Sequence, residues 1–169
     1  MVTNVHQRTL NAPISQLAPL IDQLASSQDI FWPLERWPAM QFDRPLGVGA
    51  VGGHDDIGYV VESYQPGRDI VFRFTAPKGF NGMHQLTLEE LSDGKTRVKH
   101  VLTATLEGPM VLLWPVIIRF MHDALIEDGL DRAEAWAERR VLKLRPWNPW
   151  VQTLHWLERA VRKAQPARG

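Results

Sequence analysis

The chain has 169 residues, 44% of them hydrophobic, which is enough apolar material for one core and one domain of ordinary size. It contains no cysteine, which excludes disulfides and thiolate metal sites. Its charges cancel unevenly: residues 1–138 carry 11 Lys and Arg against 18 Asp and Glu, a net −7, while residues 139–169 carry 8 against 1, a net +7. This is an acidic body with a basic appendage, a distribution that argues against a nucleic-acid partner.

The opening MVTNVHQRTLNAP lacks the basic-then-apolar pattern of a secretory signal, so a cytoplasmic protein is expected. Val2 to Leu10 mixes β-branched and polar residues and reads as a first strand at or near a sheet edge. Asn11 is placed to cap a helix with Pro13 in its first turn, with Ile14, Leu17, Leu20, Ile21 and Leu24 on one face, ending by Ser26 or Ser27. Between Asp29 and Phe42, Pro33 and Pro38 limit the chain to one or two helical turns. Yet Phe31, Trp32, Trp37 and Met40 are large and apolar for a loop, and are expected to plug one end of a core or to lie over an opening.

Gly47, Gly49, Gly52 and Gly53, around Val48 and Val51, fit a short and strongly bent strand. After the polar turn His54-Asp55-Asp56, strands over 57–64 and 69–76 flank Gln65-Pro66-Gly67-Arg68. Their pairing sets Val61 opposite Phe72 and Tyr59 opposite Phe74, so one face carries Ile57, Tyr59, Val61, Ile70, Phe72 and Phe74 while Glu62 and Arg73 point away. Strands over 83–91 and 96–107 follow. A two-residue turn at Asp93-Gly94 would split their apolar sets between two faces, so a longer connection with a glycine bulge is predicted. It aligns Leu86 and Leu88 with Val98, Leu102, Ala104 and Leu106, and puts His84 and His100 on the same inner face.

Gly108 to Arg145 holds the longest helical pattern. Pro109 suits a first helical position, whereas Pro115 deletes a backbone hydrogen bond and predicts a kink, or a short segment before the main helix. Leu113, Trp114, Ile117, Met121, Ala124 and Leu125 recur at three- and four-residue spacing. Arg119, Asp123, Glu127, Asp131, Glu134 and Glu138 fall largely off that stripe. The apolar run is shorter than the roughly 20 residues that cross a bilayer, so the helix is expected to lie against the sheet. Its polar side reads as a solvated or boundary face with Arg119–Asp123 and Asp128–Arg132 as i,i+4 pairs.

Asn148 can cap a basic amphipathic helix from Pro149, with Trp150, Leu154, Leu157 and Val161 on one face and His155, Arg159, Arg162 and Lys163 largely off it. Residues 146–169 thus form an extension to a domain of residues 1–145. It is expected to dock on the acidic body, with peripheral contact to an anionic membrane or binding to a partner as the alternative.

This order of elements, together with IGYVVESYQPGRDIVFRF, GFNGMHQLTLEEL, SDGKTRVKHVLTATLEG and WPVIIRFMHDALIEDGLDRAEAW, resembles the SRPBCC superfamily over residues 3–138. That group comprises the START-like and Bet v 1-like proteins and the polyketide cyclase/dehydrase and lipid transport family. The resemblance implies an α+β helix-grip fold, in which a curved antiparallel sheet wraps around a long C-terminal helix and leaves a cavity for an apolar ligand. Members bind lipids, sterols, plant hormones or polyketides, and some are cyclases, aromatases or hydrolases. They share a cavity rather than a catalytic motif, so no catalytic residue carries over by position.

The ligand-binding candidates are Trp32 from the loop, Tyr59, Phe72, Phe74, His84, Leu86, His100 and Leu102 from the sheet, and Trp114, Ile117, Met121 and Leu125 from the helix. The same residues would also serve as ordinary core. His84 and His100 are the catalytic candidates: either could polarise a carbonyl or move a proton near neutral pH, or be a half-buried histidine bonded to backbone or water. The expected function is binding, transport or sequestration of a small hydrophobic ligand without a cofactor. The alternative is a cyclase, aromatase or dehydratase using a cavity histidine as general acid or base. His122-Asp123 is a second candidate but no ready-made dyad, because adjacent helical residues do not face each other. His54-Asp55-Asp56 offers ligand types for a metal, but no second cluster completes a site, so no metal is expected. Glycine-rich GVGAVGG neither follows a strong strand nor opens a helix, which disfavours phosphate binding, and Glu107 reads as a solvated strand end sooner than a cavity carboxylate. No pattern in the chain sets an oligomeric state.

Overall fold

The computed structural model describes residues 1–164, with side chains as far as residue 160. Seven antiparallel strands form one sheet: β1 (Val2–Leu10), β2 (Gln41–Phe42), β3 (Val51–His54), β4 (Ile57–Gln65), β5 (Asp69–Ala76), β6 (Phe80–Glu90) and β7 (Thr96–Leu106), in the order β1-β7-β6-β5-β4-β3-β2. The first strand closes back beside the last, so β1 and β2 are the edges. Alternation of apolar and polar residues gives the sheet one buried face. Tyr59, Val61, Ile70, Phe72, Leu86, Leu88, Val98 and Leu102 are buried there. The registers follow the pattern in the sequence: Tyr59 lies opposite Phe74, Val61 opposite Phe72 and Leu88 opposite Val98. A bulge at Glu62 shifts the β4–β5 pairing by one residue, and Glu62 and Arg73 pair on the outer face at 2.9 Å. The β6–β7 connection is a 3-10 turn over Ser92–Gly94, with Asp93 and Gly94 both at positive φ, which is the longer connection that the apolar sets require.

On the buried face lies a continuous helical run, 110–137, that the sheet grips. It opens with α3 (Met110–Leu113), passes through a π-helical turn over Trp114–Ile118, and continues as α4 (Arg119–Ala137). Pro115 has no N–H to donate, and the widened turn closes instead with Arg119 N–H on Trp114 O. Gly129 lets this helix approach the loop, since a Cβ there would sit 3.0 Å from the Phe31 ring. Gly52 is required for a similar reason: its Cβ would fall 2.0 Å from Gln41 O on the neighbouring strand. No helix among the described residues is long and apolar enough to cross a membrane.

Several local expectations are corrected. The helix after β1 is two separate turns, α1 (Ile14–Leu17) and α2 (Pro19–Asp22), because Pro19 cannot donate to the preceding turn. Asn11 does not cap it; Pro13 occupies that position without a side-chain bond. The buried stripe of Leu17, Leu20, Ile21 and Leu24 nevertheless survives the break. Residues 29–40 form turns rather than a helical plug, tied down by Asp29, whose carboxylate accepts from the N–H groups of Ala25, Phe31 and Trp32.

The last helix, α5 (Pro149–Ala164), is capped by Asn148 Oδ1, which accepts from Val151 N–H at 2.9 Å. Its buried side is Val151 and Leu154, whereas Trp150 and Leu157 are half exposed, so the docked face is rotated from the expected one. Val161, Arg162 and Lys163, expected on its two faces, lie outside the residues whose side chains are described. The segment leading to α5 folds back on the acidic body: Arg140 pairs with Glu134 at 3.0 Å and Arg145 with Asp131 at 3.3 Å.

Candidate functional site

Between the sheet and the helical run lies a cavity of about 430 Å³. All twelve residues named from the sequence as ligand contacts line it. The loop supplies Phe31, Trp32, Trp37 and Met40, the four side chains that looked too apolar for their position. His122, the second candidate on the helix, also lines it, as do residues that had not been singled out for this role: His54, Asp55, Phe80, Ile118, and Leu154 and Leu157 from α5. His54, at the end of β3, packs its ring 4.8 Å from Trp32 on the cavity wall. Trp114 leaves the space open because it packs away on Phe80, 5.5 Å between ring centres, in a smaller cluster with Met110, Leu102 and Ala104.

His84 and His100 meet at the middle of this wall. The register sets His84 opposite Leu102 and His100 opposite Leu86, so the two histidines are diagonal neighbours, and His84 Nδ1 lies 3.3 Å from His100 Nε2. The His84 ring stacks between Phe72 and Phe74, each 4.9 Å away, with Tyr59 edge-on at 4.9 Å. Burial pushes both histidines well below their ordinary pKa, helped by the neighbouring His122, so both are neutral near pH 7. In a neutral pair one ring donates and the other accepts. The outer nitrogens, His84 Nε2 and His100 Nδ1, therefore comprise one donor and one acceptor whichever way the shared proton sits. Both are buried without a hydrogen-bond partner, as is the Tyr59 hydroxyl, whose ionisation burial also opposes. Among the described residues that line the cavity there is no lysine or arginine.

Behind this wall, where edge strand β1 crosses α4, the environment is different. Asn4, His6 and Arg8 alternate onto the inner side of β1 and meet Asp123, Glu127, Asp131 and Glu134 on the helix. The match is geometric: same-face strand residues are about 6.8 Å apart and helical positions i and i+4 about 6 Å. Both nitrogens of His6 rest on carboxylates, Nε2 at 3.0 Å from Asp123 and Nδ1 at 2.8 Å from Glu127, so both must donate and the ring is an imidazolium. Burial works against that charge, but the two carboxylates outweigh it and raise the pKa to about 9. Arg8 reaches Glu127 at 2.7 Å, Asp131 at 2.6 Å and Glu134 at 3.3 Å. The charged stripe of the helix is thus a packed seam rather than a solvated face. The Arg119–Asp123 pair forms at 3.7 Å. The Asp128–Arg132 pair does not: Asp128 accepts from Arg36 and from the indoles of Trp37 and Trp147, and Arg132 turns to Glu35.

His122 is on the cavity wall rather than at a solvated boundary. Its Nδ1 is buried and unpartnered, 3.9 Å from Asp123, too far for a hydrogen bond. Glu107 is exposed at its strand end, outside the cavity.

No family model matches the chain, and no curated protein matches it in sequence. Solved structures do resemble it. CalU16 from Micromonospora echinospora aligns over 96% of this chain and 86% of its own at 13% identity and a TM-score of 0.57. A protein from Nitrosospira multiformis aligns over 82% of this chain and all of its own at 14% identity and 0.63. Ara h 8.0201 aligns over 82% and 99% at 13% identity and 0.57. The fold is therefore that of the Bet v 1-like, SRPBCC-type proteins.

Proposed function

With a helix-grip fold of the SRPBCC type as the premise, we propose that this protein binds a small, neutral, mainly apolar molecule bearing a hydroxyl or carbonyl group, in the cavity between sheet and helix. One observation carries the reading. Tyr59, His84 and His100 hold buried polar atoms that no protein group satisfies, on the wall of an otherwise apolar cavity, whereas buried polar groups in folded proteins are almost always paired. A hydroxyl or carbonyl oxygen can engage the donor and acceptor that the histidine pair offers, with the Tyr59 O–H adding a second donor. A carboxylate would enter without a compensating cation, past Asp55 and Glu158 on the lining. The aliphatic and aromatic lining supplies affinity, at about 25 cal/mol per Å² of apolar area before association costs.

Binding rather than turnover is the better reading because the histidine pair has no carboxylate to orient or activate it. Both pKa values are held far from the neutral range where acid–base catalysis is most effective. Native mass spectrometry of protein from its own source, with extraction of the bound compound, tests this directly, and a neutral oxygen-bearing hydrophobe is expected. In titrations, a ketone or alcohol should bind at least about tenfold tighter than the carboxylic acid of the same skeleton. A His84→Phe/His100→Phe variant with undiminished affinity and selectivity would remove the histidines from the account.

A second reading, loading from a lipid surface, is favoured by the exposed Val111, Leu112 and Val116 beside Trp150. The Trp150 indole donates to Val116 O at 2.8 Å, which joins the two segments into one apolar patch. Binding to anionic vesicles that L112S and W150S leave unchanged would rule this out.

A further inference from the structure

The seam beside the cavity brings His6 of β1 up to the adjacent His122 and Asp123 of α4, 117 positions separating His6 from Asp123. His6, His122 and Asp123 each offer one ligand atom within 4.8 Å of the others, and His6 Nε2 and His122 Nδ1 both approach Asp123 Oδ1. We infer that these three atoms form a mononuclear site for a divalent transition-metal ion such as zinc, with Asn4 Oδ1 as a fourth ligand. The inference does not rest on the polar contacts proposed for the hydrophobic ligand, since Tyr59, His84 and His100 take no part in it, although His122 also lines the cavity.

The geometry is close to what such an ion needs. Zinc–nitrogen and zinc–oxygen bonds of about 2.0–2.2 Å place tetrahedral ligands about 3.3–3.5 Å apart. Here His6 Nε2 is 3.0 Å from Asp123 Oδ1, and His122 Nδ1 is 3.9 Å from the same oxygen. Shifts of a few tenths of an ångström bring both of these distances to the tetrahedral spacing. Two further atoms point to a ligand rather than to a finished salt bridge: His122 Nδ1 and Asn4 Oδ1 are both buried with no hydrogen-bond partner, although Asn4 Nδ2 donates to Asp123 at 2.8 Å. An ion satisfies both, which no rearrangement of the His6–Asp123 bond does.

The surroundings are those of a metal-bound imidazole. The nitrogen of His6 that would not bind metal is held by Glu127 at 2.8 Å, and Glu127 is itself held by Arg8 at 2.7 Å. A carboxylate on the far side of the ring is the usual way a ligating histidine is oriented. The donor set is nitrogen and oxygen only, as a chain without cysteine requires, and imidazole with carboxylate suits zinc and its neighbours. Entry is from the outer side, where the Asp123 and Glu127 side chains keep 31% and 38% of their surface exposed. Binding is an exchange: the ion takes the His6 Nε2 lone pair, and the proton shared with Asp123 leaves to the buffer.

The test is calorimetric titration of the chelator-stripped full chain with zinc chloride. One ion per chain is expected, with a dissociation constant in the micromolar range or tighter. H6Q and D123N should each weaken binding at least tenfold, while H155Q, on α5, leaves it unchanged. Long-range proton–nitrogen spectra of the unaltered protein avoid any question of variant folding: zinc should move the imidazole nitrogens of His6 and His122 and leave those of His155 in place. No stoichiometric binding, binding that H6Q and D123N leave intact, or unmoved His6 and His122 signals would each overturn the assignment.

Discussion

His6 and His100 sit directly opposite each other on adjacent strands, about 5 Å apart, yet their protonation states are opposite. Burial opposes a positive charge at both. At His6 two carboxylates outweigh it, whereas at His100 the nearest groups are other imidazoles and an apolar wall. One step across the sheet separates a seam built to hold ions from a cavity wall built to hold none. Partners, not depth, decide which histidine is charged. The helix contributes to both sides, with Asp123, Glu127 and Asp131 toward β1 and Met121 and Leu125 toward the cavity.

The largest effect should come from removing the cation that holds the seam together. Arg8 and Asp131 are nearly buried, with 12% and 5% of their side-chain surface exposed. Arg8→Ala would leave the buried Asp131 with only the exposed Arg145 beside it, and Glu127 and Glu134 with His6 and Arg140, at a cost of about 3 kcal/mol in urea denaturation. A loss under about 1 kcal/mol would mean that the seam behaves as a set of surface ion pairs.

Opposite protonation predicts opposite pH limbs, measured with a chelator present. The folded-state pKa of His6, about 9, lies above its unfolded value of 6.5. Its contribution is therefore complete below pH 6.5 and is lost as pH rises to 9, a decline of roughly 3 kcal/mol. His84 and His100 are depressed, so their neutral forms stabilise fully above pH 6.5. That contribution falls on acidification, by about 1.4 kcal/mol per group per pH unit. H6Q should flatten the alkaline limb alone, and H84F/H100F should reduce the limb below pH 6.5, leaving the part that belongs to His122, whose pKa burial also lowers. If both variants flattened the same limb, the contrast between seam and cavity would be wrong.

Asp128 is an intermediate case, a carboxylate whose burial raises its pKa against the pull of Trp37, Arg36 and Trp147. Asp128→Ala would leave the Trp37 and Trp147 indole N–H groups without their acceptor, costing about 1–3 kcal/mol. Because Trp147 precedes α5, amide exchange over residues 149–160 should accelerate more than exchange over β6 and β7. Uniform acceleration would show that α5 is held by Val151 and Leu154 alone.

The cavity side was the more legible in the sequence, and the reason is local. Alternation along β4 to β7 fixes which residues share a face, and turn lengths fix register, so Val61 opposite Phe72 and the shared face of His84 and His100 follow from neighbours close in the chain. The seam depends on partners such as His6 and Asp123, 117 positions apart. Nothing in the period of β1 says whether Asn4, His6 and Arg8 face water or a helix, and a helix stripe of Asp and Glu reads as solvated until its cations are located. The same limit applies to α5, where periodicity marked an apolar stripe but the docked side turns on Asp128, 20 residues before Asn148. Pro19 was visible in the sequence, and its missing N–H is what splits the helix that the apolar stripe suggested.

The smallest expected change in stability belongs to the pair that matters most for the ligand. His84→Phe/His100→Phe removes both members of a hydrogen bond together with two buried, unsatisfied nitrogens, so stability at pH 7 should stay within about 1 kcal/mol of the parent or rise. His84→Phe alone would leave His100 Nε2 without its partner and should be the more destabilising substitution. For a neutral hydroxyl- or carbonyl-bearing ligand, the double variant should lose affinity by roughly tenfold, the value of one or two neutral hydrogen bonds, while an all-hydrocarbon probe of similar size binds equally well or better. Equal losses for both probes would mean that the substitutions reshaped the cavity and that the nitrogens had no role in recognition. No loss for either would leave the histidines as part of the wall and shift recognition to the Tyr59 hydroxyl, which Tyr59→Phe tests without changing the packing of the ring.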